Sequence, residues 1–151
     1  MGDSVDNTKR AAEGNRNYLT EMDVRIWLRD NDPDANTLLD DFEWTSEEVR
    51  TARTLAVDQF NETPPSMDMY TTETFPWRYN LLMGTASNLL FMAAHRYRRN
   101  FLTYNVPGGS VAENDKAPAY DAAAAKLADR YREWCRMKRN ELNTYGGWMS
   151  L

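Results

Sequence analysis

Cysteine and histidine are nearly absent from this 151-residue chain, which contains one of each, Cys135 and His95. A single cysteine excludes disulfides within the chain and favours a reducing compartment. A single histidine excludes the histidine clusters of zinc and non-haem iron sites, and the paired Glu-x-x-His sequences of di-iron helical bundles. We therefore interpret His95 as a partly buried packing residue and Cys135 as a buried structural thiol.

Long apolar runs are absent as well. No stretch of about 18 uncharged apolar residues exists, so we predict no membrane-spanning helix and no membrane partner. The first residues lack the apolar core of a secretory signal, and Asp6 stands where a myristoylation sequence needs Ser or Thr. The mean hydropathy is −0.75, but 42% hydrophobic and 12% aromatic residues are enough for one folded domain.

Charge is unevenly distributed along the chain. Residues 20–62 carry 12 acidic and 4 basic residues, a net charge of −8, whereas residues 63–151 carry 8 acidic and 11 basic residues, a net charge of +3. Two interpretations remain open: the two halves neutralise each other within one molecule, or they attract opposite halves of neighbouring copies.

The stretch from Phe75 to Tyr104 is the richest in apolar residues, and it predicts the central helix of the fold. Apolar residues recur every three or four positions along it, and we expect Thr74 to cap its start next to Pro76. The four small residues at 84–87 predict a notch where another helix comes close. One apolar stripe comprises Tyr79, Met83, Ala86, Leu90, Ala94, Tyr97 and Phe101.

Two further helices have capping-box starts, Thr20 with Asp23 and Thr45 with Glu48. A third begins near Pro118 and is predicted to end near Asn143. The apolar side of the first helix is predicted to comprise Met22, Val24, Ile26, Trp27 and Leu28, and the inward face of the second to comprise Val49, Ala52, Arg53, Ala56, Val57 and Phe60.

The predicted fold class is mainly α, a bundle of three long helices with a shorter N-terminal helix. Residues 1–17 are polar and predict a flexible arm, and residues 18–143 form a single α-helical domain. Residues 105–117 form a Gly-rich loop, either a flap or a short hairpin. Residues 144–151 are predicted to be an extended tail that docks through Trp148, Met149 and Leu151.

No pattern in the sequence predicts catalysis, a cofactor site or a metal site, and we expect the protein not to be an enzyme. Asp30, Asp32 and Asp34 resemble the opening of a calcium-binding loop, but Ala35 replaces the required Gly and Asp41 the terminal Glu. Helix capping and a solvated acidic surface are the simpler interpretation. A Cys135–His95 nucleophile–base pair lacks a third orienting residue.

Nucleic-acid binding is a stronger alternative. Arg96, Arg98 and Arg99, with Tyr97 and Tyr104, combine positive charge with rings on which bases could stack. A second basic run lies at 130–139. The chain as a whole is acidic, however, so a solvated helix face or an interface with the acidic region of a neighbouring copy agrees better with the composition.

The order of these segments resembles that of the small helical virion proteins of tailed bacteriophages, in particular head-to-tail adaptor (connector or head-completion) proteins. The resemblance spans about residues 18–151 and is one of pattern and order. The segments that carry it are LRDNDPDAN, WTSEEVRTARTLAVDQFNETPP, FPWRYNLLMGTASNLL, RRNFLTYNVPGG and WCRMKRNELN before GGWMSL.

The resemblance implies a structural role in the virion, after assembly in the host cytoplasm. It implies a ring of about twelve subunits between the portal protein and an adjacent neck or tail protein, with DNA passing through the bore without sequence recognition. Other neck, tail or baseplate subunits, and a nucleic-acid-binding regulatory domain, are the alternatives. The interface residues that we predict are Trp148, Met149, Leu151, Pro107, Gly108, Gly109, Arg96, Arg98 and Arg99.

Overall fold

The protein is mainly helical, in agreement with the predicted fold class. The computed structural model describes residues 18–36, 41–65, 69–100, 103–106, 109–112 and 116–149. Its helices are α1 (Glu21–Leu28), α2 (Ser46–Glu62), α3 (Arg78–Asn100) and α4 (Ala117–Met149), with a 3₁₀ turn at Pro33–Ala35 and strands β1 (Thr103–Val106) and β2 (Gly109–Ala112). The arm predicted at 1–17 lies outside the described residues.

Local side chains fix the starts of α1 and α2. The Thr20 hydroxyl accepts a hydrogen bond from the backbone of Asp23 at 3.2 Å, and the Asp23 carboxylate accepts one from the backbone of Thr20 at 2.9 Å. Thr45 and Glu48 repeat this arrangement at 3.2 and 2.8 Å. Each box satisfies backbone donors that have no partner within the helix, so both predicted helix starts are confirmed.

The inward face of α2 packs against α3 and α4. Its buried residues are Val49, Ala52, Ala56, Val57 and Phe60, as the spacing predicts, whereas Arg53 is only partly buried. The Phe60 ring lies at the centre of an aromatic cluster. The rings whose centroids lie 5.2 to 5.7 Å from that of Phe60 are Tyr70, Phe75, Trp77 and Trp134. Large rings from α2, α4 and the connector before α3 thus share one core.

The predicted notch on α3 is confirmed, and the helix that enters it is α4. Gly84 and the three residues after it are buried. The ring of Tyr131 on α4 lies over Gly84, and a Cβ atom added there would be 2.7 Å from the ring. The Tyr131 hydroxyl passes on to α2 and donates to the Ala56 carbonyl at 2.5 Å. One side chain therefore contacts both other long helices.

The C-terminal end of α2 is capped by a buried arginine from α4. The Arg139 side chain is fully buried and donates to the carbonyl oxygens of Phe60 and Asn61, each at 3.0 Å. Its guanidinium also lies 4.4 Å from the Phe60 ring centroid. A positive charge at this position satisfies terminal carbonyls and complements the negative end of the helix dipole.

The start of α3 differs from the prediction. The helix begins at Arg78, and the Trp77 carbonyl accepts its first bond, from Leu81 at 2.9 Å. Thr74 does not cap it: the Thr71 amide donates to the Thr74 hydroxyl at 2.8 Å, which closes a separate turn. This turn buries Phe75 in the core before the helix begins.

The end of α4 also differs from the prediction. The helix continues past Asn143 to Met149, so residues 144–149 are helical instead of an extended tail. The two glycines at 146 and 147 reduce helix stability by about 1 kcal/mol each but do not block helical dihedral angles. Of the predicted docking residues, Trp148 and Met149 have helical backbones, and Leu151 lies outside the described residues.

Two predicted positions on α3 are wrong. Tyr79 was expected on the buried stripe but is 66% exposed, because it lies in the first turn of the helix. His95 is exposed, not partly buried. The neighbouring Arg96 takes the inward position instead, because carboxylates of Glu43 and Glu48 lie there to receive its charge.

No helix in the described part of the chain has the length and apolar character that are needed to cross a membrane.

Replacing Gly84 with Ala is expected to destabilise the protein by about 1–3 kcal/mol, although Ala favours helix, because the new methyl group would overlap the Tyr131 ring. Urea unfolding at equilibrium measures this difference. Asn140→Ala, on the exposed face of α4, is the matched control and should be neutral or slightly stabilising. Equal stability of Gly84→Ala and the wild type would contradict the close α3–α4 contact.

Candidate interaction surfaces

The Gly-rich loop contains a β-hairpin, which settles the alternative between flap and hairpin. β1 and β2 pair antiparallel, with Thr103 opposite Ala112 and Val106 opposite Gly109. Among the described residues, no helix makes extensive backbone contact with either strand. An isolated two-stranded hairpin is marginally stable in water. Gly109 begins β2, and the predicted tip residues Pro107 and Gly108 lie outside the described residues.

Arg96 belongs to an internal ion network. Its guanidinium donates to the Glu43 carbonyl at 2.5 Å, to the Glu43 carboxylate at 3.3 Å and to the Glu48 carboxylate at 2.7 Å. The Tyr97 hydroxyl donates to the second carboxylate oxygen of Glu43 at 3.1 Å. Since Glu43 is buried, Arg96 compensates a charge that would otherwise be costly. Arg96 thus attaches α3 to the start of α2.

The three arginines at the end of α3 therefore do not form one free basic surface. Arg98 pairs with Asp121 on α4, in an exposed contact between the two helices. Arg99 is exposed. Of these three arginines, Arg99 and the exposed part of the Arg98 side chain are accessible to another molecule.

The aromatic partner of this basic segment is also engaged internally. The Tyr97 ring stacks on Tyr120 of α4 with centroids 5.4 Å apart and planes 12° apart, and Lys116 lies 5.4 Å from the Tyr97 centroid. Burial, followed by the negative charge of Glu43, raises the pKa of Tyr97 to about 12. A base cannot stack on the face that Tyr120 covers, which weakens the nucleic-acid hypothesis for this site.

The second basic run, residues 130–139 on α4, likewise contains side chains that are bound within the protein and others that are exposed. Arg139 is buried at the end of α2. Arg132 pairs with Asp129 and Lys138 with Glu141, both at 3.2 Å. Arg130 and Arg136 point outward and are exposed. The run therefore presents fewer free charges to phosphate than its sequence indicates.

Asp30 has a structural role that differs from that of a calcium ligand. Its carboxylate accepts hydrogen bonds from the backbone amides of Glu43 and Trp44 at 2.7 and 3.3 Å, and it pairs with Arg25 at 2.8 Å. The exposed Asp32 caps the 3₁₀ turn instead. Within the described ranges, no three His, Cys, Asp or Glu side chains come together as metal ligands.

Cys135 is fully buried, as predicted, and burial raises the pKa of its thiol to about 11. The thiol is therefore protonated at neutral pH, whereas nucleophilic cysteines act as thiolates. A groove of about 890 Å³ runs along the nearby surface between α2 and α4, lined by side chains that include Leu55, Arg132 and Arg136. Sequence reasoning missed this groove because its walls come from helices far apart in the chain.

The outer face of α1 is the surface that differs most from expectation. Met22, Ile26 and Trp27, here called the α1 patch, are 54%, 51% and 43% exposed. Val24 and Arg25 take the inward positions. The ion pair of Arg25 with the buried Asp30 holds that side of the helix inward, so these three side chains lie on the outer side, whereas Leu28 packs against the core as predicted. In the sequence, this orientation is indicated by Arg25 alone, a charged residue between the apolar positions of the helix.

Comparison with known proteins adds no relative. No protein-family model matches the chain, and neither does any curated protein or solved structure. Function must therefore be inferred from the surfaces described above.

Replacing Arg96 and Arg98 separately distinguishes the internal ion network from the exposed pair. Arg96→Met should lower the free energy of unfolding by about 1–3 kcal/mol, because it leaves the buried Glu43 carboxylate without its cation. Arg98→Met should lower it by less than about 1 kcal/mol, because solvent screens the pair with Asp121. Urea titrations of both variants check this, and equal effects would contradict the assignment.

Stability should fall in acid. Burial alone raises the pKa of Glu48, but hydrogen bonds from the Thr45 backbone and Arg96 outweigh it and lower that pKa below the ordinary 4.5. For Glu21, hydrogen bonds from Arg25 and Ser46 outweigh burial in the same way. Carboxylates with lowered folded-state pKa values stabilise the protein above about pH 4.5, and this contribution is lost as the pH falls through the folded-state values.

The measurement is the urea midpoint between neutral pH and about pH 3, at constant salt. Glu48→Gln should flatten the decline because it removes one of the titrating groups. Glu47→Gln is the control, since the exposed Glu47–Arg50 pair is screened by water. A midpoint that does not change in acid would contradict the role of these carboxylates.

Proposed function

We propose that the chain is a structural virion protein, a subunit of an oligomeric ring that serves as adaptor or neck between portal and tail of a tailed bacteriophage. The order of its sequence segments supports this, as does the β-hairpin. The hairpin extends the chain between α3 and α4 without extensive packing on the helices, and a partner protein would cover its strands.

In this proposal the helical bundle is the body of each subunit, and the contacts lie at its periphery. The hairpin and the C-terminal end of α4 reach the portal protein and the adjacent neck or tail protein. DNA passes through the bore without sequence recognition. The same surfaces would also serve a subunit elsewhere in a neck, tail or baseplate.

The first experiment asks whether the purified chain assembles. Native mass spectrometry and negative-stain electron microscopy should show closed rings of about twelve copies. A chain that stays monomeric at every concentration, and is missing from purified particles, would overturn the proposal. A gel-shift titration over a range of salt concentrations tests the regulatory alternative, for which phosphate contacts require a steep salt dependence.

Replacing residues 103–112 with a short Gly-Ser linker tests the role of the hairpin. The helical circular dichroism and the unfolding midpoint of the monomer should stay close to those of the wild type, because the strands pack mainly on each other. Binding to the portal or to the adjacent ring should be lost in pull-down and co-sedimentation assays. Loss of monomer stability, with binding retained, would mean that the hairpin belongs to the core.

A further inference from the structure

A polar cavity of about 460 Å³ lies where the ends of all four helices meet. Its walls come from the end of α1 and the turn after it, the segment that leads into α2, the end of α3 and the start of α4. This volume falls within the range of small-molecule sites, which in helical bundles form between helices. Among the described residues that line it, the ionisable side chains are Arg29, Asp30, Glu43, Tyr97, Lys116 and Tyr120.

The inner wall of the cavity is negative. It contains the carboxylates of Asp30 and Glu43, which are only 7% and 8% exposed. Burial, followed by the negative charge of Glu43, raises the pKa of Tyr120, and the charge of Asp30 adds to this more than Arg96 removes. The potential of the two carboxylates therefore reaches the tyrosine hydroxyls even though both carboxylates have arginine partners. A positive group placed here would be stabilised.

The rim of the cavity is positive. Arg29 is exposed and Lys116 is partly buried, and neither has a carboxylate partner among the described residues. Three acidic residues of the neighbouring turn, Asp32, Asp34 and Asp41, do not line the cavity. The two cations at the rim are therefore available to an anionic group of a ligand.

We infer that this cavity binds a small zwitterion of the amino-acid type, with its ammonium group inside and its carboxylate at the rim. The inner carboxylates and the Tyr120 hydroxyl can accept hydrogen bonds from an ammonium group. Arg29 and Lys116 can donate to a carboxylate. A simple anion would meet the negative inner wall, and a simple cation would meet the positive rim, so neither uses both halves of the cavity. The inference goes beyond the proposed ring and does not depend on it.

A series of ω-amino acids tests the ligand class, because only the distance between the two charges varies within it. Glycine, β-alanine, γ-aminobutyrate and ε-aminocaproate are titrated into the full chain by isothermal titration calorimetry. The best of them should bind at least about tenfold more tightly than its analogues with a single charge, such as butyrate and butylamine for γ-aminobutyrate. Binding should also shift the NMR signal of the Trp44 indole N–H, because Trp44 lines the cavity and donates to the Leu89 carbonyl at 2.9 Å.

Variants of both halves test the position of the ligand. Lys116→Met and Arg29→Gln should each weaken binding of the best amino acid by about tenfold, the loss expected for one hydrogen bond between charged groups, with the unfolding midpoint unchanged. Glu43→Gln should weaken it similarly; because Glu43 also binds Arg96, the two rim variants decide the test if this variant is unstable. Lys126→Met is the matched control, since Lys126 is exposed on α4 outside the cavity.

Three results would overturn the inference. The first is that no amino acid of the series binds at about 10 mM, and the second is that Lys116→Met and Arg29→Gln leave binding unchanged. The third is that butyrate or butylamine binds as tightly as the amino acid, because the ligand would then be a simple ion. A chain that forms rings without binding an amino acid refutes only the cavity site, and a monomeric chain that binds one refutes only the ring.

Discussion

The contact of Arg139 with the end of α2 is the interaction on which the arrangement of the three long helices depends. It joins two segments nearly 80 residues apart, with the guanidinium on the Phe60 carbonyl and over the Phe60 ring. The Phe60 ring in turn packs between the aromatic rings that precede α3 and the Trp134 ring of α4. Two turns before Arg139, Tyr131 fills the space above Gly84 and reaches Ala56. The relative position of α2, α3 and α4 follows from these contacts along one face of α4.

Charged residues stabilise the interior of this protein as well as its surface. Arg96 and Arg139 connect elements that are distant in sequence, and Arg25 joins α1 to Asp30 just after it, each by bonds to carboxylates or backbone carbonyls that burial has removed from water. The opposite net charges of the two halves are therefore partly neutralised within one molecule, because Arg78 and Arg96 of the basic half pair with Asp23, Glu43 and Glu48 of the acidic half. The charge that remains at the surface is therefore smaller and more local than the net charges of the two segments indicate.

Sequence reasoning succeeded where the determinants are local or strictly periodic. The capping boxes at Thr20 and Thr45 depend on residues three positions apart, and the inward face of α2 on a regular 3.6-residue spacing. It failed on α1, because the orientation of this eight-residue helix depends on partners outside it, Asp30 for Arg25 and Arg78 for Asp23. It also ended α4 too early, because two glycines weaken a helix without forbidding it.

The candidate surfaces were predicted less well than the fold. The hairpin was one of two alternatives at 105–117, since Pro and Gly mark a turn but do not decide whether the flanking strands pair. The arginine run at 96–99 reads as a basic surface in the sequence, and only the positions of Glu43, Glu48 and Asp121 reveal which of its charges are already paired. Residues that are distant in the sequence but adjacent in the fold produce no periodic pattern from which their contact could be predicted.

The attachment of α1 has a consequence for the dynamics of the protein. This helix is attached through Val24, the partly buried Leu28 and ion pairs, and it buries far less apolar surface than α2 or α3. Elements with few buried apolar contacts open locally at a lower free energy than the global unfolding of the domain. We therefore expect the amide hydrogens of α1 to exchange faster than those of α2 or α3, and a molecule that binds its outer face to slow that local opening. A molecule that binds the outer face of α1 stabilises the helix, and a more stable helix binds that molecule more tightly.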